Sequence, residues 1–163
     1  MTDLLTGIEV ENPTLAKKTK RCIAVLLDYL FFWLLNFMLG FVLGESYSID
    51  TAGGYTWGFN LSGLPTLFSA GIWLLIFPVS EAVNGQTPGK MLLKIKVVTI
   101  QYAKASFGQT LVRHLFDIID YLPFLGILGI IVASSTGYQQ RVGDLVAGTI
   151  VVNSQPNTGI NEP

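Results

Sequence analysis

The chain has a single cysteine in 163 residues, Cys22, so no intramolecular disulfide can form and cysteine usage says nothing about the redox compartment. It has a single histidine, His114, which excludes a zinc site built from several imidazoles. Charged residues make up 13%, about half the share usual in soluble domains. The net charge is −1 and no basic stripe is interleaved with exposed aromatics, so nucleic acid is not an expected partner. The stretch NGQTPGKMLLKIKVV (84–98) resembles a phosphate loop at first sight. That loop needs G-x-x-x-x-G-K-[ST] between a buried strand and a helix. Here three residues separate Gly85 from Gly89, and Met91 stands where the metal-binding hydroxyl belongs. The segment reads instead as a tight turn, with Pro88 presetting φ and Gly85 and Gly89 supplying conformational freedom, running into a strand. With no nucleophile elbow, metal-ligand spacing or cofactor fingerprint, the expectation is no enzyme, no cofactor and no metal.

Apolar residues are abundant, at 50%, and they come in runs. Cys22–Gly44 holds 23 residues with one charge, Asp28, and Leu61–Ser80 holds 20 with none. Each is long enough to cross a bilayer as a helix. The first is too long for a signal-peptide core and follows a polar tail. Tyr121–Ser135 is a third apolar run, of 15 residues. The expected fold is therefore an all-α integral membrane protein: two full transmembrane helices, an amphipathic helix and a third hydrophobic helix. Residues 1–16 read as a flexible cytoplasmic tail, 17–153 as one membrane domain and 154–163 as a second flexible tail.

Lys17, Lys18, Lys20 and Arg21 crowd the entrance to the first run, and Lys90, Lys94, Lys96 and Lys104 follow the second. Between the runs, residues 45–60 carry Glu45 and Asp50 and no basic residue. Basic residues mark the cytoplasmic side. The N-terminus is thus expected in the cytoplasm, residues 45–60 outside as a loop, and the protein in the cell (inner) membrane. From Ser106 to Leu122 the polar residues Ser106, Gln109, Arg113, Asp117 and Asp120 fall within about 80° on a helical wheel, opposite Leu111, Leu115, Ile118 and Leu122. After Pro123 the chain either continues as one kinked span or returns as a hairpin. KIKVVTI (94–100) and GTIVVN (148–153) read as strands, neither stable alone. They can pair as a small cytoplasmic two-stranded sheet only if both lie on one side of the membrane. That favours the hairpin and a cytoplasmic C-terminus.

Charges at bilayer depth cost about 2.5–3.5 kcal/mol or more on insertion scales, so they need partners and are functional candidates. Asp28 is the clearest, on the same helix face as Arg21 seven residues earlier. Arg113, Asp117 and Asp120 add one basic and two acidic groups. Crowded carboxylates suit proton or Na⁺ exchange, and Asn36 offers a neutral oxygen. The alternatives are a satisfied polar network that locks helices together, or a helix lying flat with its charges in water.

These residues resemble the RDD family of small bacterial membrane proteins. Arg21 and Asp28 in RCIAVLLDYL match the family's arginine and first aspartate, and Asp144 in QRVGDLVAGTIVV matches the second. Gly85, Thr87, Gly89, Lys90, Val97 and Val98 match its G-x-T-x-GK…VV segment, while Glu81 and Arg113 fall where it tends to place an acid and a base. Lys94 departs from a frequent glycine, and Gly143 from a frequent histidine. The resemblance implies a transport role, including Na⁺(Li⁺)/H⁺ antiport in some members. On that reading the protein is an oligomeric exchanger in the lipid bilayer. Asp28 carries the ion or proton, Arg113 is its counter-charge, Arg21 and Asp144 form a cytoplasmic clamp, and Asp117 and Asp120 are secondary. The competing expectation is a non-catalytic adaptor or assembly subunit. The two differ in whether the carboxylates face a wet cavity or are satisfied by arginine and backbone.

Overall fold

The computed structural model describes residues 14–117 and 127–154. Helix α1 spans Lys18–Leu43, an unbroken 26-residue run without proline. It ends at Gly44, whose N–H bonds the Gly40 carbonyl. The return helix runs through Leu64–Asn84 in three parts: α2 (Leu64–Leu74), a π-helical turn (Leu75–Val79) and α3 (Ser80–Asn84). Pro78 explains the middle part, because it has no N–H and cannot close an α-helical bond there. Ser80 Oγ bonds the carbonyls of Ile76 and Phe77, and Thr110 Oγ1 bonds that of Pro78 at 3.0 Å.

Both helices are long and apolar enough to cross a membrane. Only 11% and 22% of their most apolar windows are buried, which is not how a soluble core helix packs. Leu26, Leu30, Trp33, Leu34, Phe41 and Leu67 are exposed. The two helices run antiparallel: Tyr29 and Phe32 meet Phe77, and further along Asn36 accepts from Ser69.

Residues 45–60, expected as a loop, form a hairpin of β1 (Glu45–Thr51) and β2 (Gly54–Asn60), paired from Glu45↔Asn60 to Thr51↔Gly54. The alternating aromatics Tyr55, Trp57 and Phe59 were the signal for a strand that glycine and serine content hid. Phe59 anchors the hairpin edge-on against Phe37 and Phe41 of α1.

At the other end lie α4 (Pro88–Leu92) and β3 (Ile95–Thr99), then α5 (Phe107–Leu115), α6 (Ile127–Ser135), α7 (Val142–Ala147) and β4 (Thr149–Asn153). Strands β3 and β4 pair antiparallel, with Val97 opposite Val151. Both edges of this sheet are covered. Thr14–Ala16 runs along β4 through Ala16 N to the Val151 carbonyl and Asn153 N to the Thr14 carbonyl, and the Gly85 carbonyl accepts from Val97 N on β3. Thr14–Ala16, assigned to the N-terminal tail, thus lies against the sheet. Ile95, Val97 and Val151 pack with Ala16 and Ala24 on one face of the sheet, and Val98, Ile150 and Val152 pack on the other. The pairing places β4 beside the segment that follows the return helix. Residues 118–126, which carry the choice between a kinked span and a hairpin, lie outside the described residues, as do 1–13 and 155–163.

Helix α5 starts at a capping box, Ser106 with Gln109. Its amphipathic pattern is as expected, but its orientation is not that of a helix with its charges in water. Thr110, Arg113 and His114 face inward, while Phe107 and Leu115 are exposed. Buried charges on the opposing helices make the polar face the one that docks.

Candidate functional site

The site is a chain of buried charges at the end of the helix pair that holds β3 and β4. Arg21, Ala24 and Asp28 share the inward face of α1 because they are three, four and seven residues apart. Arg21 donates to Asp144 and to the Gln139 carbonyl. Asp144 sits in the first turn of α7, where its Oδ2 also accepts from Arg141 N at 3.1 Å and the helix dipole favours an anion. Its Oδ1 accepts from Arg113 Nε at 2.6 Å. Arg113 turns its Nη1 to Glu81 Oε2 at 3.0 Å. Glu81 in α3 completes the series by accepting from Lys90 of α4. The order Arg21–Asp144–Arg113–Glu81–Lys90 thus alternates in sign and ties five helices together. Glu81 is 0% and Asp144 1% exposed, so solvent screens none of it.

His114 flanks the series. Its Nδ1 lies 2.8 Å from Asp117 Oδ2. Its Nε2 lies 3.2 Å from Glu81 Oε2, within ion-pair distance but without hydrogen-bond alignment. Its ring stands edge-on to Phe77 and Trp73. Burial by itself would raise Asp144, but Arg113 and Arg21 hold it well below the ordinary carboxylate range. Burial lowers Lys90, helped by Arg113 and opposed by Glu81. Burial would lower His114 too, yet Glu81 and Asp117 together raise it above its usual value.

Asp28 stands apart from this series. The expected pairing with Arg113 is not found, because Arg113 is used by Asp144 and Glu81. Asp28 Oδ2 accepts from Thr87 Oγ1 at 2.5 Å, and Oδ1 accepts from Gly89 N at 2.6 Å. Thr87 is the N-cap of α4 and Gly89 its second residue, so Asp28 caps that helix from across the bundle. Asn36 does not join it as a ligand, since its side-chain oxygen accepts from Ser69.

The G-x-T-x-GK turn is built for this contact rather than for flexibility. Gly85 closes α3 in the left-handed region, φ 71°. Gly89 is in a helix, and a Cβ there would run into the Ala24 carbonyl and stand 3.0 Å from the Asp28 carboxyl carbon. Lys90, one of the basic residues that mark the cytoplasmic side, is buried on Glu81. Lys94, where glycine was expected, takes φ 54°, a conformation glycine adopts without strain.

The structure thus brings together Arg21, Glu81, Lys90, Arg113 and Asp144, with Asp117 joined through His114. Thr87 and Gly89 meet Asp28, and Gly85 lies against β3. Asp120 lies outside the described residues. Sequence reasoning missed His114 as a member. Its spacing of three from Asp117 on a polar helix face was the available signal. No curated protein and no solved structure matches this chain. A family model matches residues 15–148, a stretch that holds Arg21, Asp28 and Asp144, and the chain belongs to the RDD family.

Proposed function

We propose that this RDD-family protein is a non-catalytic membrane adaptor, an assembly or accessory subunit whose buried charges are structural. The observation that carries this reading is saturation. Asp28, Glu81 and Asp144 each accept from two or more donors of the same chain. Ion carriage needs a carboxylate that can trade its ligands for a cation and for water. One open groove at the surface, of about 470 Å³, is lined by Val79, Ala82, Val83, Lys104 and their neighbours and by no carboxylate. The exposed apolar flank of α1 then faces lipid and the helices of a partner, a second copy included. By the basic-residue rule the charged cap is cytoplasmic.

Cation–proton exchange is the second reading. The observation that favours it is His114, a titratable ring between Glu81 and Asp117 whose buried Nε2 makes no hydrogen bond. Na⁺-driven proton flux in proteoliposomes, wild type against Asp28→Asn, separates the two. The adaptor predicts no flux above that of empty liposomes and a lower melting temperature for the variant. Flux in the wild type that disappears in a folded Asp28→Asn protein would replace the adaptor with the exchanger.

A further inference from the structure

A groove runs between the last two turns of the return helix and the start of α5, with a volume of about 470 Å³. Its walls are apolar: Val79, Ala82 and Val83 on one side and Phe107 on the other. Its polar end carries Lys104 and Ser106. Lys104 is exposed, and its backbone is fixed by a bridge to Val98 of the buried sheet, so the cation is presented from a rigid support. Two features say what fills the groove. The first is position. Val79–Val83 end a 21-residue apolar helix, which places the groove where bilayer hydrocarbon gives way to headgroups. Phe107 and Val83 are both exposed and continue the apolar outer face of that helix. The second is charge. The lining has one cation and no carboxylate to neutralise it, and a basic side chain at the membrane surface attracts anionic lipid.

We propose that this groove binds one anionic phospholipid, with an acyl chain against Val79, Val83 and Phe107 and the phosphate on Lys104. The site is separate from the buried charges, and it does not depend on whether the protein is an adaptor or an exchanger.

The test uses the full chain purified in detergent, supplied with phosphatidylglycerol or phosphatidylcholine, with retained lipid counted by native mass spectrometry. The expected result is preferential retention of phosphatidylglycerol. Lys104→Gln should reduce it about fivefold, the equivalent of about 1 kcal/mol for one lysine at an anionic surface. Val83→Trp should abolish it by filling the groove, and Lys94→Gln, which changes an exposed lysine outside the groove, should leave it intact. Lys104 is a surface residue, so that variant is read even if Val83→Trp does not fold. Equal retention of phosphatidylcholine overturns the proposal. So does retention unchanged by Lys104→Gln, an equal loss from Lys94→Gln (a diffuse charge effect), or displacement by inorganic phosphate alone.

Discussion

The protein has two antiparallel two-stranded sheets at opposite ends of one helix pair, and they are stabilised in different ways. In β1–β2 nearly every residue is exposed, and the hairpin is held to α1 mainly through Phe59. In β3–β4 nearly every residue is buried, both edges are occupied, and the charge series of Arg21, Asp144, Arg113, Glu81 and Lys90 lies in the helices around it. Two strands alone do not make a stable sheet in water. Identical pairing therefore gives a peripheral element at one end and a core at the other, and packing accounts for the difference.

The two ends should differ most in the response of their charges. Glu81→Gln leaves Lys90 buried without its anion and Arg113 with Asp144 alone, and should cost about 3–5 kcal/mol, whereas Asp50→Asn on the hairpin should stay within about 0.5 kcal/mol. Denaturant titration of both variants in one detergent checks this, and similar losses would mean that the two ends are equally structural. Next come the apolar groups. Ile150→Ala removes a fully buried side chain and should cost about 2–5 kcal/mol, against little for the exposed Ile49→Ala. A smaller effect is expected at glycine. Gly89→Ala pushes a methyl into the Ala24 carbonyl and the Asp28 cap, for about 1–3 kcal/mol, whereas Gly53→Ala meets nothing within 4 Å.

The smallest effect sharpens the comparison through pH. His114 has its folded pKa raised above 6.5 by Glu81 and Asp117. Its contribution is fully present below 6.5 and fades as pH rises through the folded value. The charged cap should therefore lose stability on the alkaline side, and His114→Gln should remove that slope. The hairpin has no histidine, so local hydrogen exchange there should not follow the same profile. A slope unchanged in His114→Gln would assign the titration to another group.

Several elements were legible from local pattern alone. Two apolar runs gave the pair of helices long enough to cross a membrane, β-rich segments gave β3 and β4, and a wheel of polar residues gave α5. Of the cap, Arg21 and Arg113 were legible because charges in apolar surroundings need partners, and Glu81, Lys90 and Asp144 through the family resemblance. Their pairing was not. Arg113 stands 31 residues from Asp144 and 32 from Glu81, and spacing along a chain says nothing about contacts at that separation. Lys90 looked like a surface lysine until Glu81 was placed beside it. Asp28 was legible as a carboxylate in need of partners, but not that the start of α4 supplies them.

By itself, then, the sequence determined two helices long and apolar enough to cross a membrane and a charged, strand-bearing end, since hydrophobicity and periodicity are local properties. Only the tertiary structure decided which carboxylate meets which cation, which way α5 faces, and that Asp28 caps a helix. These depend on a low-dielectric interior, where each buried donor or acceptor must find its partner across the bundle.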